Sequence, residues 1–332
     1  MTIGYSAFHE CTSLTDIVIP NGVMEIGNGI FYDCTNLHNV TIPNTITSIG
    51  SDAFYGCNNL SRVDIRDLSA WCNIEFNSSY SNPLRSGVTK LYLDDKELIE
   101  ITSSHDISVI NNYAFFNYLS LTNVTLTDGV TSIGKDAFGG CENLQSVTIG
   151  DSVTTIGNYA FRGCSSLTSV TIGDSVTTIG QYAFFGCDNL TRVNIYDLSA
   201  WCNIEFWDNN SNPINYAKSL YLNNTKIKDL IIPSEVTEIK PYTFFNCESL
   251  ISVTIPENTT LIGEYALYSC DSLKYIYCKA AIPPTLEYKP FFEYVSKIHV
   301  PASADDSIIN AYKEADGWSN YASKIVEYDF AE

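Results

Sequence analysis

Phenylalanine returns at a fixed interval along this 332-residue chain: Phe8, Phe31 and Phe54, then Phe115, Phe138, Phe161 and Phe184, then Phe244, with Leu267 closing the column; within each run the step is 23 residues. Cysteine follows three residues later at Cys11, Cys34, Cys57, Cys141, Cys164, Cys187, Cys247 and Cys270, with Tyr118 the exception. Leucine follows six residues later every time, from Leu14 to Leu273. Self-similarity at such a period means that one small unit stacks on its copies, because no single unit can bury its apolar stripe alone.

Within Val147-Thr148-Ile149 the apolar residues alternate, which predicts a short strand with one buried face. Around the phenylalanine the spacing changes: Ile133, Ala137, Phe138, Cys141 and Leu144 form one stripe of a helical or 3-10 return. Gly27, Gly50, Gly134, Gly157, Gly180 and Gly263 are expected to start that return, since glycine takes left-handed or crowded backbone without strain. The segment Leu167-Thr168-Ser169-Val170-Thr171-Ile172 carries the L-x-x-L-x-L core of a leucine-rich repeat. The predicted fold is an α/β solenoid, a right-handed curved leucine-rich-repeat stack. A parallel β-sheet lines its concave face and short helical or 3-10 returns its convex face, because strands stack roughly 4.8 Å apart and a helical layer is about 10 Å wide.

Two long inserts interrupt the period, at about 66–101 and 196–229. Asp67-Leu68-Ser69-Ala70-Trp71-Cys72-Asn73-Ile74-Glu75-Phe76 recurs as Asp197-Leu198-Ser199-Ala200-Trp201-Cys202-Asn203-Ile204-Glu205-Phe206, so the chain is also a higher-order duplication. Asp67 and Asp197 are expected to cap short helices, and Trp71 and Trp201, at helical spacing from Leu68 and Leu198, to face the core. Leu91-Tyr92-Leu93-Asp94-Asp95 and Leu220-Tyr221-Leu222-Asn223-Asn224 read either as hairpins or as consecutive ladder strands. Residues 1–278 are read as the solenoid and 279–332 as a C-terminal cap, since a stack needs an atypical terminal unit.

A net charge of −20 makes nucleic acid an unfavourable partner. No apolar run reaches the 18 residues that predict a membrane span. No leader is recognisable, and the chain opens at an I-G corner, Ile3-Gly4, so an N-terminal cap is expected either to precede this sequence or never to have been part of the stack. Eight of the eleven cysteines share one column. Stacked columns carry parallel Cβ vectors, whereas a disulfide needs them directed at each other, so these are expected to be buried free thiols.

The F-x-x-C-x-x-L-x-x-V-x-I repeat together with the D-L-S-A-W-x-N-I-E-F insert resembles the BspA-like group of leucine-rich repeat proteins over nearly the whole chain. That resemblance implies a secreted or cell-surface protein, found in anaerobic host-associated bacteria and some mucosal protists. For some members it also implies adhesion to host matrix proteins or other cells. Asn111 and Lys240 in place of glycine, and Thr243 in place of alanine, depart from the pattern.

No catalytic motif is present. His9-Glu10 is not followed by a zincin pattern, His9, His38, His105 and His299 fall in different repeats, and Asp94-Asp95 and Asp305-Asp306 lack calcium-loop spacing. No cofactor and no metal are expected. The sequence therefore points to a non-catalytic binding protein for a host or bacterial surface protein or glycan, expected as a monomer. A structural spacer presenting another module is the alternative, and a cryptic enzyme the least supported one. The outward strand positions are nearly all Ser and Thr in the centre, so the candidate ligand-binding residues are the distinctive ones: Arg62, Asp64, Arg192, Asn194, Tyr275, Tyr277, and Trp207, a position filled by Asn77 in the first insert. Tyr113, Tyr159, Tyr182, Tyr242 and Tyr265, two residues before the Phe column, form a second aromatic row, expected to pack between repeats.

Overall fold

The computed structural model describes residues 2–86, 88–103, 106–127, 129–291 and 294–330; His105 lies outside them. The chain forms two compact units, Met1–Thr168 with Gly180–Asn189, and Ser169–Ile179 with Leu190–Glu332.

In the first unit the L-x-x-V-x-I segments become parallel strands. Asp16–Val18, Asn39–Thr41, Arg62–Ile65 and Lys90–Leu93 pair in order, with Ile17, Val40, Val63 and Leu91 in register. Glu100–Thr102, Asn123–Leu126 and Ser146–Ile149 pair likewise. A second row of two-residue strands ends on the isoleucines before the glycine column, Ile3, Ile26 and Ile49, and in the insert on Phe76. The second unit repeats the plan: Ser169–Thr171, Arg192–Ile195 and Leu220–Leu222 are one parallel set. Asp229–Ile231, Ser252–Ile255, Tyr275–Cys278, Lys297–Pro301 and Ile325–Tyr328 are another. The open insert question resolves into both alternatives. Lys90–Leu93 and Leu220–Leu222 each continue a parallel ladder and turn into an antiparallel strand, Lys96–Glu97 or Thr225–Lys226, before a fresh ladder begins. The turns at Asp94-Asp95 and Asn223-Asn224 hold positive φ at both central residues, as a two-residue hairpin of type I′ requires.

The returns are turns rather than helical layers. Two left-handed residues bracket each phenylalanine, two before and two after, as at Tyr159 (φ 61°) and Gly163 (φ 73°) around Phe161. The Phe138 and Phe161 rings then stack 5.3 Å apart and only 3° from parallel. That spacing is close to the roughly 4.8 Å between strands, so ring and strand columns advance together. The later left-handed position is filled by Gly, Asn, Asp, Glu or Ser, but the earlier one carries tyrosine five times, an uncommon conformation for a bulky residue. The tyrosine backbone is held by the next repeat, Tyr159 N–H donating to Gln181 O at 2.9 Å. Its ring stacks on its successor, Tyr159 on Tyr182 at 5.6 Å and Tyr242 on Tyr265 at 5.7 Å.

The Ile-Gly glycines are not left-handed, which corrects one alternative read from the sequence. A Cβ on Gly157 would meet Gly134 C at 2.7 Å and Lys135 N at 2.8 Å, and one on Gly134 would meet Asn112 N at 2.5 Å. Glycine is needed because the backbone of the preceding repeat lies against it. Where the layer before is an insert, that crowding is absent and side chains appear: Asn111 Nδ2 donates to Asn73 O at 2.9 Å, and Lys240 Nζ to Asn203 O at 2.9 Å.

All eleven cysteines are free, ten of them buried. Each stacked thiol donates to the carbonyl of the phenylalanine 26 residues earlier, as in Cys141 to Phe115 at 3.1 Å and Cys187 to Phe161 at 3.3 Å. After an insert no such carbonyl stands there. Tyr118 instead spans the gap to Leu98 O at 2.6 Å, and at the matching place in the second copy Ser249 Oγ reaches Ile227 O at 3.0 Å, beside Cys247.

Asp67 and Asp197 cap their helices, Leu68–Cys72 and Leu198–Cys202. Trp71 and Trp201 are buried, their indole N–H groups donating to Ala114 O and Thr243 O. Beyond residue 278, Lys297–Pro301 and Ile325–Tyr328 extend the ladder, the helix Ser307–Glu314 connects them, and Trp318 is buried with its indole N–H on Pro284 O at 2.7 Å.

Candidate functional site

The sequence places two Arg-bearing strands before the inserts, and the structure treats them differently. In the first unit Arg62 and Asp64, two residues apart on one strand face, form a side-on ion pair. Arg62 Nε lies 2.8 Å from Asp64 Oδ2, and Nη2 lies 2.6 Å from Asp64 Oδ1 and 2.9 Å from Asp95 Oδ1. The guanidinium also covers the Tyr92 ring at 4.0 Å. Arg62, Asp64 and Asp95 line an open cleft of about 330 Å³. Two carboxylates already satisfy the cation, and Asp64 raises the Arg62 pKa further.

In the second unit the matching residues are Arg192, Asn194, Tyr221 and Asn224. Arg192 Nη2 donates to Asn224 Oδ1 at 2.7 Å and its guanidinium lies 4.5 Å from the Tyr221 ring centroid. Asn194, expected on the open face, is only 2% exposed. Its Oδ1 accepts from the Asn224 N–H at 2.8 Å, while its buried Nδ2 has no partner. An outward strand position is covered here because the hairpin turn folds back over it.

Trp207 is 70% exposed. It follows Glu205–Phe206, which pairs with Thr178–Ile179 in the second row of short strands and not in the Arg192 ladder. The loops around it are less free than their polarity implies. Asn82 and Asn212 are buried, their amides donating to Ala114 O and Thr243 O, both at 3.0 Å. Each Asn-Pro thus ties its insert to the next repeat.

Tyr275 and Tyr277 stand together on the last ladder, where the neighbouring strand carries Ser252 and Thr254. Tyr275 is 37% exposed. Tyr277 stacks on His299 with ring centroids 4.5 Å apart, and Tyr328, 41% exposed, meets Tyr277 and His299 edge-on at 5.4 and 5.1 Å. His299 Nδ1 is buried and unpaired, and burial, with Lys297 adding to it, depresses the imidazole pKa. His299 and Tyr328 lie past the end of the 23-residue period, so no column in the sequence aligns them with Tyr277. Their only signal is the alternation of Ile298-His299-Val300.

Among the described residues no group of His, Cys, Asp and Glu is arranged to hold a metal ion, and no helix is long and apolar enough to cross a membrane.

A two-row ladder of short parallel strands, with L-x-x-V-x-I feeding the first row and a Phe-x-x-Cys turn closing each repeat, defines a leucine-rich repeat protein. The chain belongs to the family of the BspA type leucine rich repeat region, whose model matches it in six copies over residues 1–83, 89–213 and 215–304. No curated protein matches it significantly. Among solved structures it is similar to a leucine-rich repeat protein from Bacteroides ovatus (22% identity over 99% of this chain and 87% of that one, TM-score 0.48). It is also similar to a leucine rich cell surface protein from Faecalibacterium prausnitzii (24%, 92% and 89%, 0.43) and to the pneumococcal vaccine antigen PcpA (15%, 95% and 78%, 0.37).

Proposed function

We propose that this chain is a non-catalytic binding protein, secreted or displayed at a cell surface, that holds a surface protein or glycan on its strand face. One observation supports this reading above the others: Tyr275, Tyr277, His299 and Tyr328 make a continuous, partly exposed aromatic group, where the neighbouring strand offers Ser252 and Thr254. Tyrosine supplies rigid amphipathic contact area at low entropic cost and is enriched where binding energy concentrates. A pure spacer has no use for such a patch on a polar ladder. Within this reading residues 279–332 act as the terminal cap and also deliver His299 and Tyr328 to the site.

The test is a screen of the purified chain against glycans and matrix proteins, repeated with a Tyr275→Ala/Tyr328→Ala variant. Both side chains are partly exposed, so the fold should survive, as circular dichroism would show. Loss of about 2 kcal/mol of binding, near thirtyfold, is the expected outcome for two anchors. A ligand bound equally by the variant would move the site elsewhere, and a chain that binds nothing would favour the spacer.

A further inference from the structure

The two copies of the Arg-bearing insert differ in a chemically consistent way. Asp64, Asp94 and Asp95 of the first are Asn194, Asn223 and Asn224 in the second, while the arginine and the tyrosine beneath it are kept as Arg62 with Tyr92 and Arg192 with Tyr221. Three carboxylates have become three amides, and the exchanges at Asp64 and Asp95 remove the two negative charges that pair with the guanidinium.

The consequence is visible in the bonding. Arg62 is closed by Asp64 and Asp95. Arg192 has one neutral acceptor, Asn224 Oδ1, and among the described residues no carboxylate pairs with it. Asp197, further along the chain, is occupied in capping its helix through the Ser199 and Ala200 N–H groups. Two residues along the same strand, the Asn194 amide is 98% covered and its Nδ2 donor is unsatisfied. The amide orientation is fixed, because Oδ1 must face the Asn224 N–H. A buried donor without an acceptor is unfavourable, and a guanidinium recognises a carboxylate better than any neutral acceptor.

We infer that the Arg192–Asn194 strand is a subsite for a carboxylate carried by a sugar, a uronic or sialic acid residue, the ligand oxyanion pairing with the Arg192 guanidinium as Asp64 does with Arg62 in the first copy. This rests on the reading of the chain as a binding protein and narrows it. The rest of the subsite favours a sugar over an acidic peptide. Asn223 and Asn224 offer groups that both donate and accept, as hydroxyls do, and Tyr196, 49% exposed where the first copy has Arg66, presents a ring for the apolar face of a pyranose. The chain's net charge of −20 also opposes polyanions, so the subsite suits one carboxylate on an otherwise neutral body.

The experiment is a titration of ¹⁵N-labelled protein with methyl glucuronide, methyl glucoside and N-acetylglutamate, following the Asn194 side-chain amide and the Arg192 Nε–H. Saturable shifts with the glucuronide and none with the neutral glucoside are expected. Asn194→Asp, which rebuilds the internal ion pair of the first copy, should lower glucuronide affinity at least about tenfold without unfolding the chain. Glucuronide that leaves both signals unmoved, or binds Asn194→Asp as tightly, would overturn the subsite. Saturation by N-acetylglutamate alone would overturn its assignment to sugar. Ligands lost from the Tyr275→Ala/Tyr328→Ala variant but indifferent to Asn194→Asp would leave the general binding function standing while this inference fell.

Discussion

Cys164 Sγ lies 3.3 Å from the carbonyl oxygen of Phe138, 26 residues earlier in the chain, and that contact recurs down the stack. The thiol column is thereby a row of weak donors inside the core, each satisfying a return carbonyl of the neighbouring repeat.

Buried thiols of this kind should resist iodoacetamide in the native protein, with only the half-buried Cys11 reacting, and all eleven should react after denaturation. Protection that persists in denaturant without reductant would reveal disulfides and overturn the free-thiol reading.

The same burial predicts alkaline lability. Desolvation pushes Cys57, Cys141 and Cys187 up to about 12 and Cys278 to about 11, against about 8.5 for an unfolded thiol. Between those values the native state holds the extra protons. The stabilisation is therefore complete below about pH 8.5 and is lost as pH rises toward the folded values, at up to about 1.4 kcal/mol per pH unit for each thiol. Urea unfolding at pH 7 and at pH 10 should show a markedly lower midpoint at the higher pH, and replacing Cys141 and Cys187 by alanine should shrink the difference. Equal midpoints would contradict the burial.

Phe161 sits between the Phe138 and Phe184 rings, wholly buried. Phe161→Ala should cost about 3–5 kcal/mol, whereas Thr148→Ala, on the open side of the strand Ser146–Ile149, should change stability by less than about 0.5 kcal/mol. Similar losses from the two would mean that the buried and open faces had been interchanged.

The glycine column makes a sharper distinction. Gly157→Ala drives a methyl against the backbone of Gly134 and Lys135, and should destabilise by about 1–3 kcal/mol. Lys240→Ala, at the same column after an insert, gives up only half-exposed polar contacts to Asn203 and Glu205 and should cost no more than about 1 kcal/mol. Thermal denaturation of the two variants decides it: a larger loss at Lys240 would remove crowding as the reason for glycine.

The periodic sequence by itself determined the repeat, the strand register, the Phe and Cys columns, the buried Trp71 and Trp201, and the helix caps at Asp67 and Asp197. Each of these depends on contacts within one repeat or between identical neighbours, and a 23-residue spacing encodes both. Tertiary structure decided the rest. That Gly157 answers to crowding and not to φ depends on the repeat lying before it. That Tyr118 and Ser249 reach Leu98 O and Ile227 O, where the column elsewhere sets a thiol on a phenylalanine carbonyl, depends on the layer an insert replaces. Asn194 is outward by alternation yet covered by the Asn223-Asn224 hairpin, and Arg62 and Arg192, alike in sequence position, differ in the charges folded against them. His299 and Tyr328 meet Tyr277 only because strands beyond the last repeat join its ladder, a pairing between unlike segments that no internal period announces.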